Sequence, residues 1–257
     1  MKRMEPILEV KNLTKVFERK GQPPLTAVDH VSFSLFPGEC LGVIGESGSG
    51  KSTMANMITR LTEATEGEIR LDGEDITRAK GKKLRMAYRK MQMVFQTPAE
   101  SFDPRRTLGD GIGESLRNIG LTRSETADEV AVLLQQCGLS PEFSSRYPHE
   151  VSGGQCQRAA IARALAVKPL LLLCDEATSA LDVTIQKEIL DLLRDLRARK
   201  GRNLSLLFIC HDIALVETFC TRLLVMYKGK IVEQGAPDDI IKNPQDDYTK
   251  RLIDSVL

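Results

Sequence analysis

The stretch GESGSGKST, residues 45–53, decides the fold. It follows the apolar run 40–44 and precedes a segment with helical character, which is the setting that the pattern Gly, four residues, Gly, Lys, Ser of a phosphate-binding loop requires. Glycines let such a loop approach a ligand closely, and the helix N-terminus that follows favours an anion. We predict that Lys51 reaches the β- and γ-phosphates of a nucleoside triphosphate and that Ser52 helps to hold Mg²⁺. The alternative is a Gly/Ser-rich turn without a ligand.

Two other apolar runs end in chemically active side chains. Residues 170–174 are followed by Asp175 and Glu176, and residues 204–210 are followed by His211. Such runs are typical of buried parallel strands, whose carboxyl ends bind ligands in open α/β sheets. We predict that Asp175 supports Mg²⁺, that Glu176 orients or deprotonates an attacking water, and that His211 senses the γ-phosphate. Together with the phosphate loop, these strand ends predict phosphoryl-transfer hydrolysis.

Two residues each leave two interpretations open. Gln96 ends the short apolar run 93–95, and its amide either contacts a metal or a water or only caps backbone groups. Phe17 lies in the first strand region, where it is either a core residue or an aromatic surface on which an adenine stacks.

A second glycine turn occurs at VSGGQ, residues 151–155. It leads into a segment with a helical apolar stripe and therefore offers another helix N-terminus suited to an anion. Residues 108–148 before it also have helical character, with a capping box from Thr122 to Glu125. We interpret them as an inserted helical lobe.

The amino-terminal region has the character of strands. Residues 7–36 contain alternating apolar and polar positions, and the segment 21–26 has the composition of a turn between strands. The basic stretch 80–90 is interpreted as a solvated helix face rather than as a binding patch.

Composition limits the classes of function. The chain has 257 residues with 36 basic and 35 acidic side chains, and this balance is not that of a general nucleic-acid binder. It contains neither a secretion signal at its start nor an apolar run long enough to cross a membrane. The six scattered cysteines, most of them in apolar runs, predict buried and reduced thiols rather than disulfides or a zinc site.

The order of these motifs resembles the nucleotide-binding subunit of an ATP-binding cassette (ABC) transporter over nearly the whole chain. The matching segments are 45–53 (Walker A), Gln96 (Q-loop), 151–155 (signature motif), 170–175 (Walker B), Glu176 (catalytic glutamate), 179–182 (D-loop) and His211 (switch histidine). Val151 is the one visible departure, because the family usually has Leu there; the change keeps an apolar side chain and leaves the glycine turn intact.

The resemblance implies a set of site residues. Those expected to catalyse hydrolysis are Lys51, Gln96, Glu176 and His211. Those expected to hold Mg²⁺ are Ser52, Gln96 and Asp175. Those expected to contact ATP are Phe17, Gly45, Glu46, Ser47, Gly48, Ser49, Gly50, Lys51, Ser52, Thr53, Gln96, Val151, Ser152, Gly153, Gly154, Gln155 and Asp182.

The fold implied by the resemblance is of the α/β class. It comprises a P-loop NTPase core with a mainly parallel sheet, an N-terminal antiparallel β subdomain and an inserted α-helical subdomain. We expect one domain over residues 1–257, with the core and β subdomain in 1–97 and 169–257 and the helical lobe in 98–168.

The implied partners follow from the family. Two such subunits pack head to tail with each ATP between one Walker A and the other signature, and ATP-driven closure moves two membrane-spanning permeases through contacts near the helical lobe behind Gln96. A solute-binding protein outside the cytoplasm takes part indirectly, no nucleic acid is expected, and the subunit lies on the cytoplasmic face of the inner membrane. The second ATPase is a paralogue or a second copy of this chain, and related uptake systems favour a paralogue.

The segments 95–105 and 243–252 are similar to those of ATPases that drive bacterial uptake of dipeptides, oligopeptides and nickel. The end of the chain at Leu257 favours the shorter metal-chelate type among them. The alternative function is a soluble cassette ATPase acting on nucleic acid or ribosomes, although the chain has one cassette and no long heptad run. A regulatory module that only binds ATP is a third possibility, against which Glu176 argues.

Overall fold

The computed structural model describes residues 5–177, 182–198 and 203–255. Within those ranges the chain forms ten strands and nine α-helices. The strands are β1 (Leu8–Arg19), β2 (Gln22–Leu35), β3 (Cys40–Ile44), β4 (Glu66–Leu71), β5 (Glu74–Asp75), β6 (Met91–Val94), β7 (Leu171–Asp175), β8 (Ser205–Ile209), β9 (Arg222–Tyr227) and β10 (Lys230–Gly235). The helices are α1 (Lys51–Ile58), α2 (Gly81–Lys90), α3 (Leu108–Asn118), α4 (Arg123–Gln136), α5 (Gly153–Leu165), α6 (Val183–Ala198), α7 (Ile213–Phe219), α8 (Pro237–Lys242) and α9 (Asp247–Asp254).

The first sheet is antiparallel and has the order β2-β1-β4-β5. It confirms the predicted N-terminal β subdomain, but the turn predicted at 21–26 is wrong in extent. The chain turns only at residues 20–21, and Pro23 and Pro24 belong to strand β2. Proline has no N–H to donate to a neighbouring strand. It is tolerated here because β2 is an edge strand, which has a neighbour on one side only.

The second sheet has the order β10-β9-β3-β8-β7-β6, in which only β10 is antiparallel to its neighbour. All residues of β3 and β8 are buried, since helices and the first sheet cover both faces. This confirms the mainly parallel core. The register pairs Ile209 of β8 with Asp175 of β7, and Val43 of β3 with Ile209. The carboxyl ends of the three strands therefore meet at one edge.

The helices of residues 108–165 pack into a shared apolar core. Helix α4 begins with the predicted capping box, in which Thr122 and Glu125 each bond the other's backbone, and Gly138 ends the segment with a φ of 74°. The basic helix α2 buries only Ala87, as expected for a solvated face. The boundaries 98 and 168 of the helical lobe stay a prediction.

All six cysteines are buried free thiols, as predicted. The Sγ atoms of Cys40 and Cys220 lie 3.7 Å apart. None of the helices in the described ranges has both the length and the apolar character needed to span a bilayer.

Candidate functional site

The phosphate loop joins β3 to α1, and two of its glycines are required by the backbone around them. Gly45 has a φ of 146°, and a Cβ there would lie 2.2 Å from the carbonyl oxygen of Met226. Gly50 has a φ of 105°, and a Cβ there would lie 2.3 Å from the carbonyl oxygen of Ala27. Any side chain would force one of these strands to move. The loop is therefore pressed against both sheets.

Lys51 lies at the first position of α1 and is buried. Its Nζ donates to the carbonyl oxygens of Gly45 at 2.7 Å and Glu46 at 2.8 Å, and to Ser49 Oγ at 3.3 Å. Burial lowers the pKa of the Lys51 ammonium, while the nearby carboxylate of Glu176 opposes that shift. Gly45, Glu46 and Ser49 thus hold the lysine, and their predicted contacts with ATP stay predictions.

Ser52 and Asp175 approach each other across the edge of the sheet. Ser52 Oγ donates to Asp175 Oδ1 at 3.1 Å. Burial raises the pKa of the Asp175 carboxyl, and the hydrogen bond from Ser52 opposes that shift. A hydroxyl and a carboxylate are the hard oxygen donors that Mg²⁺ takes in phosphate sites, where substrate oxygens and waters complete its coordination. The pair fits the predicted metal.

Glu176 follows β7 with a strained backbone. Its φ is 48°, in the left-handed region that a non-glycine residue rarely adopts, and its N–H donates to the carbonyl oxygen of Ile209 at 3.0 Å. Left-handed backbone in a residue with a Cβ costs about 1–3 kcal/mol and is concentrated at functional sites. The strand ends thus hold Glu176 in a conformation that its own sequence does not favour.

One cavity of about 470 Å³ is lined by Lys51, Ser52 and Glu176 but not by Asp175. Phe17, 39% exposed, lies on its wall together with loop residues and Glu176. Sequence reasoning missed the contribution of the β9–β10 turn, Lys228 and Gly229, and of Thr26 and Ala27 in β2, because these residues carry no motif. The lining residues are Phe17, Leu25, Thr26, Ala27, Ser47, Gly48, Gly50, Lys51, Ser52, Thr53, Glu176, Lys228 and Gly229.

Gln96 and His211 lie at the same sheet edge but do not line this cavity. Gln96 is exposed two residues beyond β6, whose Val94 pairs with Cys174. His211 is exposed two residues beyond β8. Their predicted contacts with a water, a metal or the γ-phosphate stay predictions.

The signature turn lies elsewhere on the molecule. Ser152 caps α5, its Oγ accepts from the Gln155 N–H at 3.3 Å, and Gln155 Oε1 accepts from the Ser152 N–H at 2.9 Å. Gly154 is packed in the helix, where a Cβ would lie 2.6 Å from Ile185 Cγ2. Ser152, Gly154 and Gln155 line a cavity of about 380 Å³ that shares no residue with the first, and Val151 packs partly buried against the core.

The predicted D-loop is described only at its last residue. Residues 179–181 lie outside the described ranges. The exposed Asp182 accepts a hydrogen bond from the Ile185 N–H at 3.0 Å through Oδ1 and so caps the start of α6. Its predicted contact with ATP stays a prediction.

Comparison with known proteins places this arrangement among transporter ATPases. The sequence profile of the ABC transporter family matches residues 28–179. The oligopeptide transport ATP-binding protein OppF of Salmonella typhimurium is 45% identical over 97% of this chain and 77% of its own length. OppF of Bacillus subtilis is 44% identical over 98% of this chain and 83% of its own length. The glutathione import ATP-binding protein GsiA of Escherichia coli is 48% identical over 98% of this chain, which spans 41% of that relative.

Solved structures agree with the fold. The dimeric ATP-binding cassette MJ0796 in a post-hydrolysis state, bound to ADP and Pi, matches with a TM-score of 0.81 at 30% identity over 90% of this chain and 98% of its own. The protein cbiO1 of Clostridium perfringens, part of the ABC transporter complex cbiONQ, matches with a TM-score of 0.81 at 26% identity over 93% of this chain and 91% of its own.

Proposed function

The chain belongs to the ABC transporter family, and we propose that it hydrolyses ATP to power the import of peptides across a bacterial membrane. One observation carries the assignment of the site. The buried Lys51, together with Ser52 and Glu176, lines one phosphate-loop pocket, and Ser52 donates a hydrogen bond to Asp175. These are the groups that bind a triphosphate, a divalent cation and an attacking water.

ATP binding is assigned to the loop and to the wall opposite it. The phosphates face the N-terminus of α1, which has no side-chain cap at Gly50 and therefore leaves its N–H groups to an anion. An ammonium has three N–H donors, and the longest Lys51 contact, to Ser49 Oγ, is the most readily exchanged for a phosphate oxygen. Phe17 is exposed enough to stack on the adenine.

Hydrolysis is assigned to the carboxylates at the end of β7. Ser52 and Asp175 would hold Mg²⁺, which when bound neutralises charge on the phosphate oxygens. Glu176 takes a proton from the water that attacks the γ-phosphorus, and ADP leaves with its electron pair as the bond to the γ-phosphate breaks. The fixed backbone of Glu176 keeps its carboxylate at the edge where the phosphates end.

A second ATPase subunit completes the site in this proposal. The signature turn borders its own pocket, away from Lys51 and Glu176, so the two halves of one chain do not act on the same ATP. A head-to-tail pair, with a paralogue or a second copy of this chain, brings each signature turn to the other subunit's phosphate loop. The solved structure of the cassette MJ0796 in a post-hydrolysis state is dimeric, which supports a paired arrangement.

The names of the relatives support the proposed cargo. OppF transports oligopeptides and GsiA imports glutathione, by their names, so the proposed cargo is a peptide; nickel or a metal chelate is the alternative. The chain would work on the cytoplasmic face of the cell membrane with two permease subunits and, indirectly, a solute-binding protein.

The permeases are assigned to an apolar groove next to Gln96. This groove, of about 270 Å³, runs between the core and the helical lobe, and Leu61 on its rim is 55% exposed. Its other walls include Met93, Phe95 and the half-buried guanidinium of Arg163, a mixture that suits an amphipathic segment of a permease.

The experiment is co-purification of the tagged chain with permeases expressed from neighbouring genes. Leu61→Glu places a charge in the groove without burying it, so we expect permease recovery to fall at least about tenfold while ATP affinity is retained. Ile119→Glu is the matched control, because Ile119 is 40% exposed and borders none of the cavities described above. Normal recovery with Leu61→Glu would refute the docking surface. Sedimentation of the unmodified chain with ribosomes or DNA, without permeases, would refute the transporter proposal.

A further inference from the structure

The C-terminal helix reaches the phosphate loop through one tyrosine. Tyr248 lies in α9, and its hydroxyl oxygen accepts a hydrogen bond from the backbone N–H of Glu46 at 2.9 Å. The tyrosine is only 4% exposed although Glu46 itself is exposed. A buried ring thus carries its polar tip to the surface of the loop, which is how tyrosine satisfies its hydroxyl in a core.

Tyr248 and Lys51 form hydrogen bonds to opposite sides of one peptide plane, the one between Gly45 and Glu46. The N–H of Glu46 and the carbonyl of Gly45 belong to the same planar peptide unit. Lys51 Nζ donates to that carbonyl oxygen at 2.7 Å, and the Tyr248 hydroxyl accepts from that N–H. Rotation of the plane would break both bonds. The tyrosine therefore determines where the carbonyl that orients Lys51 points.

The ring of Tyr248 is itself held in place. It stacks on Tyr227 with ring centroids 4.0 Å apart and an angle of 21° between the planes. Tyr227 ends β9, and two residues later the N–H of Gly229 donates to the Ser49 carbonyl oxygen at 2.9 Å. The strand and turn that support the tyrosine thus also hold the far side of the loop.

Two carboxylates anchor the start of α9. Asp246 accepts from the Tyr248 N–H at 2.8 Å and caps the helix. Glu233 of β10 accepts from the N–H groups of Gln245 at 2.8 Å and Asp246 at 3.1 Å. The register of the helix, and with it the reach of the tyrosine, is therefore set from the core sheet.

We propose that Tyr248 is a positioning residue of the ATP site, which makes α9 part of the nucleotide-binding apparatus. The inference rests on the proposed role of the loop 45–53. Tyr248 does not touch ATP; it fixes the peptide plane between Gly45 and Glu46, and through it the ammonium of Lys51. Loss of the hydroxyl leaves the Glu46 N–H without its partner and frees the plane to turn.

The test is Tyr248→Phe, which keeps the stacked ring and removes only the oxygen. An unsatisfied backbone donor predicts that the Kd for ATP, and the KM, rise about 5- to 30-fold. The kcat at saturating ATP falls by a smaller factor than the KM rises, because the Glu176 base is not affected. Hydrogen exchange at the Glu46 amide becomes faster in the same variant. Ser255→Ala is the control, since it removes a hydroxyl that bonds the Leu252 carbonyl oxygen at the other end of α9.

A double-mutant cycle separates positioning from general stability. Glu233→Gln loses one acceptor for the backbone of α9 and should raise the Kd for ATP less than Tyr248→Phe does. The double variant should be no weaker than Tyr248→Phe alone, because both changes act through the same hydroxyl. If Tyr248→Phe lowers the melting temperature strongly, Glu233→Gln serves as the test instead, because it keeps the tyrosine. Hydrogen exchange at the Glu46 amide should then be faster in Glu233→Gln than in the unmodified chain.

The outcomes are distinguishable from failure of the site itself. Lys51→Ala serves as the reference: if it leaves ATP affinity unchanged, the proposed phosphate loop is wrong. If Lys51→Ala abolishes binding while Tyr248→Phe changes neither the Kd nor Glu46 exchange, only the positioning role is refuted. Additive effects in the cycle would also refute it.

Discussion

The two glycine turns of this chain each lead into a helix, but the contacts that shape them differ. The phosphate loop, residues 45–53, needs Gly50 because its backbone is left-handed and faces the Ala27 carbonyl. The signature turn, residues 151–155, needs Gly154 only because Ile185 leaves no room for a methyl group. One turn is shaped by backbone, the other by a side chain.

The hydrogen bonds differ in the same sense. The signature turn uses two of its own N–H groups in the capping box between Ser152 and Gln155. The phosphate loop has no side-chain cap and is instead held by hydrogen bonds from outside it, one to the Tyr248 hydroxyl and one from the Gly229 N–H. The signature turn therefore bonds its own N–H groups, whereas the rest of the fold keeps the phosphate loop open towards an anion. A phosphate loop that binds ATP within one chain needs these hydrogen bonds from outside the loop.

The largest expected effect tests the chemistry that only the phosphate-loop region has. Glu176→Gln should lower ATP turnover in the assembled complex about 10²–10⁴-fold, because a positioned base is lost, while ATP binding is kept and a closed dimer accumulates. Turnover and the Kd for ATP are measured together. Glu217→Gln, exposed on α7, is the control. If Glu176→Gln kept full ATP turnover, another residue would be the base. The two glycine turns would then not differ in the way described here.

A second comparison exchanges each helix-opening glycine for alanine. Gly50→Ala should lower the free energy of unfolding by about 1–3 kcal/mol from its backbone alone and abolish measurable ATP binding. Gly154→Ala should change the free energy of unfolding by no more than about 1 kcal/mol, because the better helix propensity of alanine offsets the close contact with Ile185. Urea denaturation measures both.

Rescue distinguishes the two causes. Ile185→Ala should relieve Gly154→Ala, so that the double variant is more stable than the sum of the single changes predicts. Ala27→Gly should not relieve Gly50→Ala, because the obstructing atom is a backbone carbonyl oxygen. Equal rescue at both positions would contradict the contrast drawn between them.

The smallest expected effect is a pH dependence confined to the phosphate-loop region. Burial raises the pKa of Asp175, so its contribution to stability is greatest below the unfolded pKa and is lost as the pH rises through the folded pKa. Ligand-free Asp175→Asn should therefore melt higher than the unmodified chain at pH 8, by a margin that shrinks towards pH 4, while Mg²⁺-dependent hydrolysis is lost.

A change in the signature turn is the comparator for that measurement. Ser152→Ala should lower stability by about 1 kcal/mol through the lost helix cap, with the same effect at both pH values. Two results would contradict the assignment of a buried carboxylate to the phosphate-loop region. One is a gain in stability in Asp175→Asn that does not depend on pH, and the other is a loss of stability in Ser152→Ala that does.

Much of the site could be predicted because its signals are local. The apolar run before residue 45, the acids after residue 174 and the capping box of Thr122 and Glu125 each lie within a few neighbouring positions. The extent of β2 was mispredicted because Pro23 and Pro24 are compatible with a strand only at a sheet edge, and edge position is a property of the whole sheet.

The sequence by itself determined the fold class, the position of the phosphate loop, the carboxylates that end a buried strand and the capping box that begins α4. These depend on periodicity and on spacing within one element. Only the tertiary structure decided that Gly45, Glu46 and Ser49 hold Lys51, that Lys228 borders the pocket, and that Tyr248 reaches a loop 202 residues away. Such contacts depend on how β9, β10 and α9 pack around β3, and no local pattern of residues encodes that packing.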